Sequence, residues 1–496
     1  MPLWRVILFD KELCFFRCVS ISRTYRHRAF VEACSKSTYA STKLCVLILP
    51  QFKMKLDERT AWSLEGARVV HPTDCSLSSR FEEILSKPGQ RHLVALVNAE
   101  TGVEVTYGRL NEQANQLARR LLARIHRSGL SPNSEGDNIV ALRFLPGQEL
   151  VVALLAIFKA GLAYVPIAPN WPEGRIQHIL EDCAPIMVVT NTNARLIYRA
   201  ESKVTGGNQR EILQYEDLVD EAIAKKVSIK DLSDQEGVQR QGKGSTIYAV
   251  LYTSGSTGKP KGVRHLHSAA LNRIFWQWET FPYTEEEVCV FKTTLTFIDS
   301  VIEIWAPLLS GKRLVILPTK VTENVERFVE TLEMFNIGRI FVVTSLVKSI
   351  LAFLNLEKGR KRLGCVKIWE CSAETVTKEV LLEFFDYFKS GHRISNFYGS
   401  TEMSDVTFET FTSSKEVLAV LWKDKVSSLT ISIHQNVLSG HKSSPRFLSE
   451  PLWTIQRHIC WTMICGQLLK KRFYQYTNHQ NQFLHSSMRI PQPQTI

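Results

Sequence analysis

A 496-residue chain that is 44% hydrophobic and 22% charged has an ordinary globular composition, with length enough for two or more cores, which excludes a fibrous or wholly disordered protein. The net charge of +12 is confined to the ends, since residues 1–53 carry +6, residues 411–496 carry +7 and residues 54–410 carry −1, so it gives no sign of a nucleic-acid ligand for the central body. Six of the eleven cysteines also lie in those ends and none form a paired zinc-ligand spacing, so a reduced, cytoplasmic protein is expected.

In chain order, residues 1–53 mix Arg, Cys and aromatics without a period and are expected to be a disordered extension, with Met54 as an alternative start. Asp10, Lys11 and Glu12 interrupt the first apolar stretch, which argues against a secretory signal; an Arg-rich organellar presequence over 1–30 is the alternative. The longest apolar runs, such as Leu44 to Pro50, are far too short for a membrane span, and no membrane partner is expected. From residue 93 strand and helix patterns alternate. Leu93–Val97 has strand length, and Leu110, Ala114, Leu117, Ala118, Leu121, Leu122 and Ile125 recur at helical spacing. Strands are then predicted at 139–144, 163–167 and 186–190, with helices at 149–160 and 173–182 between them.

Residues 191–245 are polar and rich in Gly, Gln and Lys, and read as loops; a strand follows at 248–252. Further on, strands are expected at 313–317, 339–343 and 366–369, and helices at 325–335, 346–356 and 376–388. Repeated strand–helix units imply an α/β protein of doubly wound parallel sheets. Residues 411–496 lose the alternation and are Ser/His/Gln-rich, which predicts a tail that packs poorly.

Between the strand at 248–252 and the next pattern stands Tyr252-Thr-Ser-Gly-Ser-Thr-Gly-Lys-Pro-Lys-Gly262. Glycines let successive N–H groups turn toward one anion, the hydroxyls of Thr253, Ser254, Ser256 and Thr257 add donors, and Lys259 or Lys261 adds charge. That is a device for holding polyphosphate. It lacks the Gly-Lys-Ser/Thr ending of a Walker A loop, and no helix-opening pattern follows directly.

The whole string resembles the phosphate loop of the adenylate-forming enzymes: acyl-CoA synthetases, luciferases and the adenylation domains of peptide synthetases. Three more strings match that family's pattern in order: Val105-Thr-Tyr-Gly-Arg-Leu-Asn111, Phe158-Lys-Ala-Gly-Leu-Ala-Tyr-Val-Pro-Ile167 with Ala168 where Asp is usual, and Asn396-Phe-Tyr-Gly-Ser-Thr-Glu402. Asn272-Arg-Ile-Phe-Trp-Gln-Trp278, Phe291-Lys-Thr-Thr-Leu-Thr-Phe-Ile-Asp-Ser300 and Asn396 to Asp405 look most like the insect β-alanyl-amine synthases of the Ebony type. The resemblance implies ATP and Mg²⁺ as cofactors, a small amino acid as substrate, and adenylation of β-alanine as the first step toward a β-alanyl amine. A phosphopantetheine carrier is implied only for a full-length relative.

Carried over residue by residue, Thr253, Ser254, Gly255, Ser256, Thr257 and Gly258 with Lys261 hold the phosphates, Thr401 donates to the α-phosphate, and Glu402 binds Mg²⁺. Asn396, Tyr398 and Gly399 meet the adenine. The substrate pocket falls to Ile298, Asp299, Ser372 and Asp405. Domains for α-amino acids carry Asp directly after the Phe that corresponds to Phe297; here Ile298 stands there and the carboxylate follows at Asp299. A shifted counter-charge suits an ammonium one methylene farther from the carboxylate, whereas the plain reading makes Asp299 a helix cap. Glu370 stands where an apolar residue is usual and Ala373 where Gly is usual, and His267 is left without a role.

The resemblance is expected to span residues 54–410 as a partial large domain. Residues 411–496 contain no Tyr-x-Thr-Gly-Asp string, hinge, carboxy-terminal catalytic Lys motif or carrier Ser, so a truncated chain lacking the mobile lid is expected. An inactive adenylation fragment and an acyl-CoA synthetase-like ligase are the competing expectations.

Overall fold

The computed structural model describes residues 69–192, 211–233, 236–237, 244–254, 259–357 and 361–424, together with the backbone of 4–9 and 12–17. The last two segments, Trp4–Phe9 and Glu12–Arg17, pair as an antiparallel hairpin within a unit of their own, residues 1–63. Everything below concerns the second unit, which starts at Leu64.

Its described strands form three sheets. The largest runs Lys261–Leu266, Ile247–Thr253, Ala163–Pro166, Ile139–Arg143, Met187–Thr190, Glu211–Gln214. The second runs Val288–Phe291, Arg313–Ile316, Val94–Asn98, Glu104–Thr106, and the third Arg339–Val342, Ile368–Cys371, Arg393–Ser400, Ser404–Phe411. Parallel pairing dominates, as the alternating pattern predicts, but each sheet ends in one antiparallel edge strand: Lys261–Leu266, Glu104–Thr106 and Ser404–Phe411. The central strands are apolar along their whole length because helices cover both faces; Ile139–Arg143 and Ala163–Pro166 are buried at every position.

Two of the quoted strings are structural. Tyr107 is fully buried, its hydroxyl lying 3.0 and 2.8 Å from the carbonyls of Leu308 and Lys312, so it ties helix Tyr107–Ser128 to the second sheet. Asn111 donates to Asp231 at 2.6 Å, Asn115 donates to the same oxygen at 3.0 Å, and the fully buried Lys159 ammonium pairs with Glu82 and, at 3.4 Å, with Asp231. A lysine drawn out of water in this way is held by two carboxylates.

Residues 191–245 depart from the loop expectation: strand Glu211–Gln214 extends the first sheet and helix Tyr215–Ala224 buries Tyr215, Leu218 and Ala222. Their short length and acidic faces hid the period. Order also runs past 410. Strand Ser404–Phe411 completes the third sheet, and helix Ser414–Asp424 follows with Val417 buried against it. The expectations of disorder elsewhere in 1–53 and beyond 424 lie outside the described residues. No helix among the described residues is long and apolar enough to cross a membrane.

Candidate active site

The phosphate-loop string sits on a β-hairpin. Thr253 ends one strand of the first sheet, Lys261 opens the antiparallel return strand, and the two are register partners. A strand on both sides, with no helix after the loop, separates it structurally from a Walker A loop. Lys259, Lys261 and Ser254 are exposed and Thr253 is half-buried, while Gly255, Ser256, Thr257 and Gly258 lie outside the described residues. The return strand bends directly into helix His267–Thr280. His267 at its start is buried; its Nδ1 accepts from the Leu77 N–H at 3.2 Å, and burial lowers its pKa to about 3. It is a neutral packing residue between Phe158 and Tyr248.

That helix reaches the third sheet. Trp276 packs edge-on to Phe397 and Phe408, at 6.0 and 4.9 Å between ring centroids, and Arg273 lies over Trp276 at 4.7 Å. Phe397 and Phe408 are register partners on strands Arg393–Ser400 and Ser404–Phe411, which carry the second functional string. The helix therefore fixes the phosphate-loop strand relative to the Asn396–Glu402 segment through apolar contacts of named residues.

Asn396 and Tyr398 are half-buried on Arg393–Ser400, at the carboxyl end of the parallel strands, where α/β sheets bind ligands. Gly399 is required sterically, because a Cβ there would come within 2.1 Å of the Ser404 carbonyl oxygen where the strand pairing shifts register. The chain then reverses over Ser400 to Met403, closed by the Met403 N–H to the Ser400 carbonyl at 3.2 Å, with Ser404 in the left-handed region. Thr401 and Glu402 are thereby presented at the tip of a tight turn; Glu402 is exposed. The Ser400 hydroxyl is buried with no hydrogen-bond partner among the described residues. An exposed carboxylate and two neighbouring hydroxyls on a rigid turn are hard oxygen donors that fit a hydrated Mg²⁺ with phosphate oxygens.

The predicted substrate residues do meet. Asp299 is the first residue of helix Asp299–Leu308, whose cap position is Ile298, and Ile298 packs half-buried against the main core. The Asp299 carboxylate accepts a short hydrogen bond from the Ser372 hydroxyl. Asp405 stands close enough to push it, so that burial and then Asp405 raise the Asp299 pKa to about 6, opposed by Ser372 and Arg273. Asp299 thus bridges two sheets instead of merely capping its helix. Ala373, next to Ser372, has φ +64, which explains why glycine suits that position.

A chain of buried polar groups lies behind this cluster. The Arg273 Nε donates to Asp405 Oδ2 at 2.8 Å, and its terminal nitrogen donates to Gln277 Oε1 at 2.6 Å. The Gln277 amide in turn donates to Glu370 Oε1 at 2.5 Å, and the Arg339 guanidinium lies 3.9 Å from that oxygen. Glu370 is fully buried, and desolvation pushes its pKa up to about 7. Arg339 itself is held by Glu287 and by the Phe281 and Pro282 carbonyls. Arg273 and Gln277 received no role in the sequence reading. Their signal is a polar pair spaced i, i+4 within the apolar run from Ala269 to Trp278.

Comparison with known proteins agrees with this geometry. The model of the family described as AMP-binding enzyme matches residues 82–428. The chain is 42% identical over 318 residues to the Drosophila melanogaster protein named beta-alanyl-bioamine nonribosomal peptide synthetase ebony, over 63% of this chain and 35% of that one. It is 31% identical to the Bacillus cereus zwittermicin A synthase ZmaJ, over 66% of this chain and 57% of that one. The chain therefore spans only about a third to somewhat over half the length of these two relatives. Among solved structures it resembles the nonribosomal peptide synthetase FmoA3 in its AMPPNP-bound form, with TM-score 0.57 and 21% identity over 71% of this chain and 34% of that one. It also resembles the Klebsiella oxytoca NpsA N-terminal subdomain in complex with 3-hydroxybenzoyl-AMSN, with TM-score 0.54 and 22% identity over 69% and 77% of the two chains. A mixed α/β unit whose matched segment covers most of the chain, with the phosphate-loop hairpin and the Asn396–Glu402 turn in order, belongs to the AMP-binding enzyme family and has the fold of nonribosomal peptide synthetase adenylation domains.

Proposed function

We propose that this domain uses ATP to adenylate the carboxylate of a small β-amino acid, β-alanine in the first place, as the opening step of β-alanyl-amine synthesis. The observation that carries the reading is the Asp299–Ser372–Asp405 cluster. Two carboxylates and a hydroxyl converge there, and among the described residues Asp299 forms no ion pair with a basic side chain, Arg273 only partly offsetting its charge. A bound ammonium supplies the missing charge; an acyl chain would meet two carboxylates, which disfavours an acyl-CoA ligase. The name of the Drosophila relative supports the same substrate class.

In the reaction a substrate carboxylate oxygen attacks the α-phosphorus of ATP, the new O–P bond forms and the bond to the leaving pyrophosphate breaks. Negative charge crowds both partners, so positioning and neutralisation dominate. Lys261 and the hydroxyls from Thr253 onward hold the outer phosphates, Thr401 donates to the α-phosphate, and Tyr398 with Asn396 and Gly399 seats the adenine. Glu402 would hold Mg²⁺, which when bound would supply positive charge beside the phosphates. In relatives that carry a phosphopantetheine carrier the activated acyl group passes to its thiol.

Exchange of labelled pyrophosphate into ATP tests the proposal. Stimulation by β-alanine well above that by propionate or α-alanine is expected. Equal stimulation by propionate refutes the pocket reading, and no exchange with any acid leaves an ATP-site fragment without ligase activity.

A further inference from the structure

Resting on that reading of the pocket, we infer that Arg273 is the internal counter-ion that limits the pocket to one unpaired negative charge, and so selects a substrate carrying a single ammonium.

The geometry separates the two carboxylates. Asp405 is 7% exposed and takes the Arg273 Nε–H at 2.8 Å. Arg273 is 3% exposed, and its guanidinium is fixed from several sides. Gln277 accepts from its terminal nitrogen, and the rings of Trp276 and Phe397 lie 4.7 and 5.4 Å from it. Gln277 cannot turn away without breaking its own bond to Glu370, since only its oxygen can accept from Arg273 and only its nitrogen can donate to a carboxylate. The guanidinium is therefore committed to Asp405 and is not a mobile arm that could swing out to meet a ligand.

Asp299 is in the opposite condition. Its hydrogen-bond partner is the neutral Ser372 hydroxyl; among the described residues no basic side chain forms an ion pair with it, and Arg273, paired with Asp405, only partly offsets its charge. Glu303, one turn later on the same helix, is occupied by the Lys292 and Thr293 N–H groups and lies 3.6 Å from the Lys292 ammonium. Glu370 and Glu287 are engaged by Gln277 and Arg339. Among these groups Asp299 is the one carboxylate left for a ligand, and a substrate with one ammonium brings the pocket to neutrality. A neutral acid leaves a buried charge uncompensated, and a diammonium acid brings one charge too many.

Arg273→Gln should change that count while keeping donors for Asp405 and Gln277. It leaves two unpaired carboxylates, so 2,3-diaminopropionate should gain on β-alanine. Asp405→Asn works the other way: Arg273 loses its partner, the pocket becomes neutral, and propionate should gain. Arg273→Lys keeps the charge and loses the fork, so it should leave the ranking unchanged even where binding weakens.

The test is calorimetric binding of β-alanine, propionate and 2,3-diaminopropionate to the full chain in the presence of ATP, with pyrophosphate exchange measured in parallel. Expected is a shift of at least about tenfold in the diaminopropionate-to-β-alanine affinity ratio in Arg273→Gln, the worth of about 1.4 kcal/mol. A shift of similar size toward propionate is expected in Asp405→Asn, with the wild-type ranking retained in Arg273→Lys. A purely structural Arg273 would weaken all three ligands together; ratios within about twofold of wild type in both charge-changing variants overturn the inference. If wild type itself binds propionate as tightly as β-alanine, the pocket reading beneath it falls as well. Selective binding without pyrophosphate exchange keeps the charge rule and removes only the ligase activity.

Discussion

Replacing Asp299 by Asn is the sharpest perturbation of the pocket, and its size follows from the structure. Burial and the neighbouring Asp405 raise the Asp299 pKa from 3.8 to about 6. At 1.36 kcal/mol per pH unit, keeping the carboxylate ionised without a ligand costs about 3 kcal/mol, trimmed somewhat by the water that still reaches this half-buried group. An ammonium placed against it recovers that energy, and an amide does not. Removing one partner of a buried ion pair typically costs about 3–5 kcal/mol, so the two routes meet near 3 kcal/mol, or about two decades of affinity. In Asp299→Asn the KM for β-alanine in pyrophosphate exchange should rise about a hundredfold, whereas that for propionate, which has no amine, should hardly move. The sign with pH is also fixed: the ammonium needs ionised Asp299, so β-alanine affinity is flat above about pH 6 and falls about tenfold per unit below it. Asp299→Asn should abolish that fall, and Glu370→Gln separates any contribution from the other raised carboxylate. A β-alanine KM within about threefold of wild type, or an equal loss for propionate, refutes the assignment.

Glu370→Gln keeps an acceptor for Gln277 but removes a buried charge. Because the native pKa of about 7 exceeds the ordinary 4.5, the carboxylate lowers stability increasingly from pH 4.5 to 7. The variant should therefore be more stable than wild type at pH 8, by about 3 kcal/mol at most, and equal to it near pH 4, as read by denaturant melts. Ala373→Gly relieves a left-handed backbone at an exposed position and should raise stability by about 1 kcal/mol, seen as a higher denaturant midpoint with unchanged slope. Lys159→Met takes the cation from Glu82 and Asp231, which stay partly hydrated at 24% and 46% exposure, so it should cost about 1–2 kcal/mol, less than for a pair buried on both sides; a melt equal to or above wild type contradicts that role. Gly399→Ala must displace the Ser404 carbonyl, so ATP binding should weaken through the misplaced Glu402 turn even where the protein remains folded, as calorimetry with Mg²⁺–ATP will show.

Much of the fold was legible in the sequence because buried parallel strands announce themselves as short apolar runs. Ile139–Arg143, Ala163–Pro166 and Met187–Thr190 fall where the runs predict. What escaped were elements with one wet face or few residues, such as Glu211–Gln214 and helix Ser414–Asp424, whose placement depends on neighbours distant in sequence. The meeting of Asp299, Ser372 and Asp405 was likewise suggested by string resemblance and not by spacing. Asp299 and Ser372 lie 73 residues apart, Asp299 on helix Asp299–Leu308, Ser372 directly after a strand of the third sheet and Asp405 within one, and helix His267–Thr280 packs behind them through Arg273.

The position of Arg273 shows why the proposed substrate pocket is hard to read one residue at a time. Asp405 alone looks like a second ligand for the substrate ammonium, and Glu370 alone looks like a charge stranded in a core. Joined through Arg273 and Gln277, Asp405 has a guanidinium and Glu370 a hydrogen bond to one of its two oxygens from within the protein, and on the proposed reading Asp299 is the group whose compensation comes from outside. A polar network buried at this depth is costly unless satisfied, so it resists substitution and holds its geometry before any ligand arrives. Specificity then follows from which member of the network is left open. Moving that opening from Asp299 to Asp405, as Arg273→Gln does in part, is a larger functional change than any alteration of pocket volume, because charge is felt beyond the contact distance that shape requires.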